Sequence, residues 1–462
     1  MDNIEATAGK IEKIVKIQKQ FFETGKTLDI NFRIETLKKL KAAIISNEEN
    51  ICKALREDLG KSAAEAYMTE IGTALSEINY FIKHTKKLSR KKKVCGTMAT
   101  APSRQFIIAE PYGRVLIMAP WNYPFLLCID PAVSAIAAGN CVLIKPSKSA
   151  ACTSKLLSEI ISQIFDPGHV SVLPNMPGVH EALLESRFDY IFYTGSPEIG
   201  KKVMEKAAKW LTPVTLELGG KSPCIIDETA DIQKSMRRII FGKTLNSGQT
   251  CIAPDFLMVH QSHKATLTSA FKTNVEAAWG LSPINNPNYP FIVNDRHFAR
   301  ITNYLQDAKI LCGGKFNPTT RKIEPTLIEG QIDTPVMNEE IFGPILPVIW
   351  FNEISEVKEF LQNREKPLAL YFFSNNKRNM KEILTLPFGG GCINDTIMHL
   401  SNFRLPFGGV GNSGMGSYHG QKGFDTFTHY KSILKKPFAL DVPIRYQPIT
   451  KFKERLIRLF MK

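Results

Sequence analysis

A repeated pattern that begins near Arg114 constrains the fold of this chain more than any other feature. Short, continuous apolar runs at 115–118, 141–144, 170–173 and 190–193 alternate with polar loops and with longer segments of helical spacing. Continuously apolar strands separated by helices are typical of a parallel sheet that is covered on both faces. The pattern therefore predicts an α/β fold in which ligands bind at the loops that follow the strands.

The other segments divide the chain into parts. Residues up to about 85 have apolar positions at helical spacing, and the period changes to that of an extended ribbon over 94–111. A further strand at 214–218 runs into Gly219, where we expect a domain boundary, and a second α/β segment follows. The turn-rich run at 285–290 is expected to be a surface loop. A chain of 462 residues exceeds the usual size of one hydrophobic core, which agrees with two or three domains.

Composition and charge exclude several classes of function. Hydrophobic residues make up 44% of the chain and charged residues 22%, which is typical of a globular protein. The net charge of +15 indicates an anionic partner, but it does not distinguish nucleic acid, a membrane surface and a phosphorylated small molecule. The densest basic run, at 86–93, has no interleaved aromatic residues, so we expect solvated surface and no nucleic-acid binding. Nine cysteines without a CxxC pair or a Cys/His cluster argue against a zinc site and a disulfide framework, and we expect no metal.

The sequence offers no clear export or membrane-spanning segment. The most apolar stretch, at 125–144, is interrupted by polar residues and a proline and is expected to be buried core. A first segment without the apolar core of a signal peptide, together with scattered cysteines, predicts a cytoplasmic location. The residues at 451–462 alternate basic and apolar side chains. A frayed terminus is the first expectation there, and an amphipathic helix in weak peripheral contact with a membrane is the alternative.

Two side chains of reactive type stand out from their surroundings. Cys251 follows the polar, glycine-containing segment 246–250, which indicates a loop whose backbone approaches a ligand, although a cysteine is more often a small core hydrophobe. Glu217 lies inside an apolar strand, where an ionised carboxylate is costly unless it is paired or functional, and a salt-bridged core glutamate is the alternative. If both face one pocket, they supply a nucleophile and a general base for covalent acyl chemistry.

Three further segments are candidates for binding or for a turn. Asn122 follows a buried strand between two prolines, where its amide either donates to an oxyanion or forms the turn. Gly195, Ser196 and Gly200 follow a strand and open a helix, as a pyrophosphate site does, but this pattern alone is weak evidence. The literal GxGxxG match at 409–414 lacks a following βαβ unit, so we interpret it as a tight backbone turn.

Taken in order, these segments resemble the aldehyde dehydrogenase superfamily, and most closely its class 3 branch of fatty and aromatic aldehyde dehydrogenases. The motifs that carry the resemblance are Pro-Trp-Asn-Tyr-Pro at 120–124, Lys-Pro-Ser at 145–147, Tyr-Thr-Gly-Ser at 193–196, Glu-Leu-Gly-Gly-Lys at 217–221, Gly-Gln-Thr-Cys at 248–251 and Glu-Glu-Ile-Phe-Gly-Pro at 339–344. The branch assignment rests on the glycine-rich segment 406–416 and on the residues that follow it to 427.

The resemblance implies an aldehyde dehydrogenase-like fold with a Rossmann-type cofactor domain, an α/β catalytic domain and a β-ribbon oligomerisation arm. The boundaries expected are 1–93 and 112–218 for the dinucleotide-binding domain, 219–395 for the catalytic domain, 94–111 and about 425–450 for the arm, and 451–462 for a basic amphipathic tail. A homodimer is implied as well, as in the family's dimers.

The resemblance also implies the chemistry. Cys251 attacks a medium-chain, long-chain or aromatic aldehyde, and the Asn122 side chain and the Cys251 amide hold the oxyanion. Hydride passes to NAD or NADP, and Glu217 activates the water that hydrolyses the thioester to a carboxylic acid. The cofactor-binding positions implied are Lys145 and Glu340 for the ribose hydroxyls, Gly195, Ser196 and Gly200 at the pyrophosphate, and Phe342 beside the nicotinamide.

One position departs from the branch, because Lys148 stands where Glu is usual. Near the adenosine ribose a Glu repels a 2′-phosphate and a Lys attracts it, so we expect NADP to be used at least as well as NAD unless Lys148 points to solvent. Two other functions stay open. An enzyme that transfers the acyl group to coenzyme A generally does not need the base that Glu217 supplies, and a non-catalytic membrane-surface scaffold needs neither Cys251 nor Asn122.

Overall fold

Two largely parallel sheets and one antiparallel ribbon organise residues 2–460, the part of the chain that the computed structural model describes. Residue 1 of the predicted first domain and residues 461 and 462 of the predicted tail lie outside the described residues.

The helices are α1 (Asp2–Glu23), α2 (Ile30–Ser46), α3 (Glu48–Leu59), α4 (Ala63–Ala66), α5 (Gly72–Leu88), α6 (Leu126–Ala138), α7 (Ala151–Ile164), α8 (Val179–Glu185), α9 (Pro197–Ala208), α10 (Ile232–Thr244), α11 (Lys264–Trp279), α12 (Asp295–Asn303), α13 (Pro335–Asn338), α14 (Ile354–Gln362), α15 (Lys377–Ile383), α16 (Gly420–Thr426) and α17 (Lys451–Phe460). The strands are β1 (Lys92–Val94), β2 (Arg104–Pro111), β3 (Arg114–Met118), β4 (Cys141–Lys145), β5 (Val170–Val172), β6 (Tyr190–Gly195), β7 (Val214–Leu218), β8 (Pro223–Ile226), β9 (Phe256–His260), β10 (Ile310–Cys312), β11 (Phe316–Asn317), β12 (Lys322–Ile323), β13 (Thr326–Glu329), β14 (Ile345–Phe351), β15 (Ala369–Phe373), β16 (Gly390–Ile393), β17 (Gly414–Met415) and β18 (Thr428–Lys435).

The first sheet has the strand order β17-β7-β6-β3-β4-β5, and its neighbouring strands are parallel except for the β17–β7 pair. The four apolar runs that predicted a parallel sheet form β3, β4, β5 and β6. The chain continues from β3 through β4 to β5 on one side and from β6 to β7 on the other. The loops after β3 and β6 therefore diverge at the carboxyl edge of the sheet and leave a crevice between them, where ligands bind in folds of this kind.

The second sheet has the order β10-β13-β14-β9-β8-β15-β16, with one antiparallel pair, β10–β13, at its edge. One hydrophobic core contacts both sheets, since it contains Val115 and Phe192 from the first and Cys224 and Tyr371 from the second. Each sheet has a further core on its other face. The two sheets are thus packed through shared apolar side chains.

Helix α6 packs against β3 and β4 of the first sheet and is almost entirely buried. Nearly all of its residues are buried, and they include Asp130, which is 0% exposed, and Pro131, which lies inside the helix without ending it. The prediction that 125–144 is buried core is therefore confirmed. No helix within residues 2–460 is long and apolar enough to cross a membrane.

After the second sheet the chain returns to the first. The glycine segment at 409–414 makes the tight turn predicted for it, with φ of 67° at Gly411 and 137° at Gly414, and β17 then pairs with β7. Glycine is required at 414 because a Cβ would lie 2.1 Å from the Leu216 carbonyl oxygen. Helix α16 packs against α5 and α6, and β18 joins β2 over eight residue pairs, with β1 on the other side of β2.

Two expectations about the surface need correction. The loop at 285–290 is exposed over 285–288 as predicted apart from the half-buried Asn286, but Tyr289 is 0% exposed, and its hydroxyl donates to the Ile323 carbonyl oxygen at 3.0 Å. A large aromatic ring in a turn-rich segment serves here as an anchor. The segment at 451–460 is helical rather than frayed, which agrees with the alternative of an amphipathic helix.

Candidate active site

An apolar cleft opens at the carboxyl edge of the first sheet and is lined from both sheets. Its free volume, including the open mouth, is about 1130 Å³. Cys251 and Glu217 both line it, together with Thr194 from the first sheet and Leu368 from the second. The apolar side chains of the lining include Met68, Leu126, Leu127, Leu218, Phe241, Leu245, Ile252, Ile397, Met398, Leu400 and Phe407. The structure therefore brings the predicted nucleophile and the predicted base to one pocket.

Cys251 follows a turn of left-handed backbone. Asn246, Ser247 and Gly248 have φ of 49°, 53° and 76°. Such angles are uncommon for Asn and Ser, and they persist only where the surroundings fix them. Glycine is required at 248 because a Cβ would lie 2.4 Å from the Gly343 carbonyl oxygen. The tight turn sets the direction in which the chain enters Cys251.

Contacts from distant parts of the chain fix this turn. The Asn246 amide donates to Glu65 Oε1 at 2.6 Å, and Asn246 Nδ2 donates to the Asn122 carbonyl oxygen at 2.7 Å. Gln249 Nε2 donates to the Phe291 carbonyl oxygen at 3.0 Å. Burial raises the pKa of Glu65 to about 7, although the Asn246 amide opposes the shift. The loop that carries the nucleophile is thus attached directly to the Asn122 turn.

The Asn122 turn has its own buried support. Lys61 is 0% exposed, and its Nζ lies 2.5 Å from Glu70 Oε1 and donates to the Asn122 carbonyl oxygen at 3.1 Å. Lys61 also lies over the Tyr123 ring, 3.9 Å from its centre, and the Tyr123 hydroxyl is hydrogen-bonded to Thr250 Oγ1 at 2.6 Å. Because the turn is held through its backbone, the Asn122 side chain is left available, and its buried Oδ1 has no hydrogen-bond partner within residues 2–460.

The reactive groups are strongly affected by burial. Burial raises the pKa of Glu217 well above its ordinary value, and both carboxyl oxygens lack a hydrogen-bond partner in the described part of the chain. Burial also raises the pKa of the Cys251 thiol, with the carboxyls of Glu340 and Glu217 adding to the effect and the backbone amides of Cys251 and Ile252 opposing it. A carboxylate with a raised pKa is a stronger base than an exposed one, which suits proton abstraction near neutral pH.

A second groove lies beside the carboxyl end of β4. Lys148 lines it together with His180 and Glu181. Lys145, at the end of β4, is buried, and its Nζ lies 2.7 Å from His180 Nε2. Burial lowers the pKa of Lys145 to about 8, with the charge of Lys148 adding to the effect, and burial beside Lys145 lowers the pKa of His180. Lys148 is exposed and faces the groove, so its charge can act on a ligand there.

The start of α9 has the geometry expected for a pyrophosphate. Ser196 caps the helix and is exposed, with its Oγ accepting the Ile199 amide at 3.5 Å. A Cβ at Gly195 would lie 2.2 Å from the Tyr193 hydroxyl, and a Cβ at Gly200 would lie 2.8 Å from a methyl group of Leu218. Both glycines therefore permit close packing of the helix on its strand. Pro197 has no N–H and the Ile199 and Gly200 amides bond Ser196, so the Glu198 amide is the one at the start of α9 without a partner among the described residues.

Glu340 and Phe342 lie in the loop before β14 of the second sheet and approach the carboxyl edge of the first sheet. A Cβ at Gly219 would lie 2.0 Å from Glu340 Oε2, so that glycine allows the carboxyl to approach the backbone. Burial raises the pKa of Glu340 to about 8, with Asp255 adding to the shift. Phe342 has a φ of 50°, and its ring meets the Trp121 ring edge-on at 5.4 Å. A strained aromatic residue beside the Asn122 turn is typical of a functional site.

The supporting residues were not predicted from the sequence as parts of the site. Lys61, Glu65 and Glu70 lie among helical segments where a charged residue is ordinary, and their contacts depend on the tertiary fold. His419 belongs to the segment after 416 that carries the branch resemblance, but it was not singled out as a site residue, and His180 gave no signal in the sequence. His419 lines the cleft, and His180 lines the second groove.

Comparison with known proteins agrees with this geometry. A family model described as "Aldehyde dehydrogenase family" matches residues 2–433. The 4,4'-diaponeurosporen-aldehyde dehydrogenase of Staphylococcus aureus (strain NCTC 8325 / PS 47) is 44% identical over 456 residues, which are 98% of this chain and 99% of that protein. The "Aldehyde dehydrogenase, dimeric NADP-preferring" of Rattus norvegicus is 42% identical over 429 residues, 92% of this chain and 94% of that protein.

A solved structure has the same fold over nearly the whole chain. It is described as the substrate-bound state of Staphylococcus aureus AldH, and it matches with a TM-score of 0.96 and 44% identity over 98% of this chain and 99% of that one. Members of aldehyde dehydrogenase family 3 are also among the relatives. The predicted fold class and the predicted resemblance to the class 3 branch are both confirmed.

The fold and the cleft define a dinucleotide-dependent oxidoreductase. The chain belongs to the aldehyde dehydrogenase family. It is an NAD(P)-dependent enzyme that oxidises aldehydes to carboxylic acids, as the sequence predicted.

Proposed function

We propose that this enzyme oxidises apolar aldehydes at Cys251 and releases the acid by hydrolysis with Glu217. The observation that carries the proposal is that Cys251 and Glu217 line one apolar cleft while the Cys251 loop is bonded to the Asn122 turn. Long-chain and aromatic aldehydes fit a lining made mostly of Leu, Ile, Met and Phe. The name of the Staphylococcus aureus relative, a diaponeurosporen-aldehyde dehydrogenase, supports an extended apolar substrate.

Each residue has a defined part in the proposed reaction. The Cys251 thiol releases its proton to water in the cleft and its sulfur bonds to the carbonyl carbon, while the Asn122 amide and the Cys251 amide donate to the oxyanion. A bound nicotinamide would supply the acceptor for the hydride that leaves this carbon. Glu217 then takes a proton from water, the water oxygen bonds to the acyl carbon and the carbon–sulfur bond breaks. The raised pKa of Glu217 suits this step because it strengthens the base.

The chain's own residues fit a dinucleotide. Thr194 Oγ1 is buried without a hydrogen-bond partner among the described residues, at the end of β6 and directly before the open start of α9. Lys145 and Glu340 would hold ribose hydroxyls, Ser196 and the open amide at the start of α9 the pyrophosphate, and Phe342 the nicotinamide face. The exposed charge of Lys148 in the second groove favours a 2′-phosphate, so we propose that NADP is accepted at least as well as NAD. The rat relative is described as NADP-preferring.

Assembly and location are further proposals. Strand β18 leaves its outer edge unpaired within the described chain, and Tyr430 and Leu434 on it are exposed, which favours a homodimer formed through the ribbon. The rat relative is described as dimeric. All nine cysteines are free within residues 2–460, which supports a cytoplasmic location. Helix α17 has four basic residues and one acidic residue, which supports weak peripheral contact with an anionic membrane.

Two other functions have less support. Transfer of the acyl group to coenzyme A does not require a buried base, whereas Glu217 stands unpaired in the cleft. A non-catalytic scaffold does not require the strained turn before Cys251 or the buried support of Asn122. If turnover required coenzyme A as a co-substrate, this would contradict the proposed hydrolysis.

The experiment that tests the proposal compares two active-site variants. Cys251→Ser should lower NADPH formation from an aliphatic aldehyde by more than about a thousandfold, because the serine hydroxyl is a far weaker nucleophile. Glu217→Gln should form NADPH once per site and then stall, with the acyl group found on Cys251 by mass spectrometry. Cys52→Ser, a half-buried cysteine on α3, is the control and should keep full activity. A Cys251→Ser enzyme that oxidises the aldehyde at the wild-type rate would contradict the proposed nucleophile.

A further inference from the structure

A cluster of buried ionisable side chains lies behind one wall of the cleft. Glu77 on α5 and Asp130 on α6 are 0% exposed, and His419, directly before α16, is 2% exposed. His419 Nε2 lies 3.1 Å from Asp130 Oδ2, and the Gly420 amide donates to Glu77 Oε1 at 2.7 Å. His419 also lines the cleft that contains the nucleophile. The cluster therefore extends from the reaction cleft into the protein interior.

Several polar atoms of the cluster have no hydrogen-bond partner. Within residues 2–460 these are Glu77 Oε2, both carboxyl oxygens of Asp130, Ser134 Oγ and His419 Nδ1, so the 3.1 Å approach of His419 Nε2 to Asp130 is an ion-pair distance without hydrogen-bond geometry. Buried polar atoms are nearly always hydrogen-bonded, and ordered water satisfies those that the protein does not. Burial together with the charge of Asp130 raises the pKa of Glu77 to about 9. Glu77 thus retains a proton near neutral pH.

The position of His419 is fixed at some cost in backbone energy. Its φ of 80° is outside the range that a histidine ordinarily adopts, and the Glu77–Gly420 hydrogen bond holds the backbone directly after it. Its ring stacks on the Phe407 ring at 5.5 Å with an angle of 16°. Strain of this kind indicates that the orientation of the imidazole matters to the site.

Tyr418 contacts this cluster and lines the same cleft as Glu217. Burial raises the pKa of Tyr418 well above its ordinary value, and the carboxyls of Asp130 and Glu217 both add to the shift, so the phenol is in electrostatic reach of both. Its ring lies 4.3 Å from the His419 ring. The other titratable or charged groups around the cluster are Tyr80, His399, Arg404 and Asp425.

We infer that His419, held by Asp130 and Glu77, accepts the proton that Glu217 removes from the hydrolytic water. In that step the water oxygen bonds to the acyl carbon, the carbon–sulfur bond breaks, and the products are a carboxylate, the Cys251 thiol and one surplus proton. Glu217 has no hydrogen-bond partner among the described residues that could take this proton. His419 receives it through water in the cleft, where Asp130 Oδ2 lies 3.1 Å from its Nε2 and Glu77 holds the backbone directly after it. The inference rests on the proposed parts of Cys251 and Glu217.

The test separates acylation from hydrolysis in His419→Gln. Rapid mixing with aldehyde and NADP should give a burst of NADPH close to one per site, as in the wild type, because His419 takes no part in acylation. Hydrolysis of the acyl-enzyme should be at least about tenfold slower, within the range for loss of a proton-transfer group. Added imidazole should restore part of the rate, because it can take the proton in place of the missing side chain.

His399→Gln is the matched control, because His399 packs on the same Phe407 ring without contacting Asp130. It should keep the wild-type rate of hydrolysis. A His419→Gln enzyme that hydrolyses its acyl group at the wild-type rate, or that loses burst and hydrolysis together without rescue by imidazole, overturns the inference.

A measurement on the wild type does not depend on the folding of a variant. Hydrolysis in mixtures of H2O and D2O should show a curved dependence on the deuterium fraction, since more than one proton moves, and a linear dependence overturns the inference. A Glu217→Gln enzyme on which no acyl group can be found at Cys251 would instead contradict the proposed parts of Cys251 and Glu217 and remove this inference with them.

Discussion

At the scale of single residues, the groove proposed for the adenosine end of the cofactor carries an exposed lysine and an acidic residue. Lys148 lines the groove with His180 and Glu181, and the buried Lys145 lies 2.7 Å from the imidazole of His180. A 2′-phosphate bound in this groove would meet the charge of Lys148, whereas the 2′-hydroxyl of NAD would not use that charge. Charge-assisted hydrogen bonds to phosphate are about twice as strong as neutral ones, so cofactor choice should respond to this site.

Lys148→Glu should therefore lower the ratio of kcat/KM for NADP to that for NAD by about tenfold or more, which corresponds to about 1.4 kcal/mol. The expected cause is repulsion between the carboxylate and the 2′-phosphate. Steady-state kinetics with both cofactors measures the ratio. Lys155→Glu, the same charge change at an exposed position on α7, should leave it unaltered. An unchanged ratio in Lys148→Glu would show that Lys148 points away from the cofactor.

The sequence singled out Cys251, Glu217 and Asn122 because each is a reactive or polar side chain in an unusual local setting, and the structure brings Cys251 and Glu217 to one cleft. Their catalytic parts stay predictions. Glu65 could not be singled out, because the bond from the Asn246 amide to its carboxyl joins positions 181 residues apart. Local sequence patterns do not reveal contacts between residues that lie so far apart in the chain.

At the scale of elements, the contact of α5 and α6 with the turn before α16 makes stability depend on pH. The folded-state pKa of Glu77 is raised from 4.5 to about 9, so the folded protein holds a proton that the unfolded chain releases above about 4.5. The stability that this proton contributes is complete below pH 4.5 and is lost as the pH rises through 9.

Glu77→Gln should remove this dependence, because an amide has no proton to lose. We expect the variant to gain free energy of unfolding relative to the wild type as the pH rises from 5 to 9, by at most about 1.4 kcal/mol per pH unit. Chemical denaturation at several pH values measures it. Glu365→Gln, at an exposed position, should show no such trend. A constant difference between Glu77→Gln and the wild type would contradict the buried, protonated carboxyl.

Helix α17 presents apolar and basic side chains to solvent together. Phe452 and Leu459 are 71% and 67% exposed, and the helix has four basic residues against one acidic residue. The full chain should co-sediment with vesicles of anionic phospholipid at low salt, since each basic residue near such a surface contributes about 1 kcal/mol. A chain that ends at Thr450 should stay in the supernatant with unchanged aldehyde oxidation. Equal co-sedimentation of the two chains would show that α17 does not bind the vesicles.

The elements of the first sheet could be predicted because continuous apolar runs are specific to buried parallel strands. The strand β17 could not, since it has two residues, and its pairing with β7 depends on glycines that permit close approach. The burial of Tyr289 was missed for a related reason. A turn-rich composition describes the backbone and does not show where one large ring points.

At the scale of the whole molecule, the apolar residues left exposed near the ribbon favour a dimer. Phe438 is fully exposed and Leu440 is 58% exposed, directly after β18. Replacing both by Asp should convert a dimer of twice 51.8 kDa to single chains of 51.8 kDa, measured by size-exclusion chromatography with light scattering. Leu281→Asp, on a residue that is 85% exposed elsewhere, should not change the mass. A wild-type chain that elutes as a monomer at all concentrations would contradict the proposed homodimer.

The turn at 246–248, directly before Gln249, Thr250 and Cys251, has a consequence for incomplete and damaged copies of the protein. Its left-handed residues at 246–248 are held by partners near positions 65, 122, 291 and 343, which reach from the first helices to the second sheet. A nascent chain on the ribosome lacks the later partners, and an unfolded or cleaved chain lacks the arrangement of all of them. The proposed reactive centre therefore forms only in the finished fold. In an unfolded or damaged chain the Cys251 thiol is exposed and loses the burial that raises its pKa, so it is open to ordinary thiol chemistry without the selectivity of the cleft.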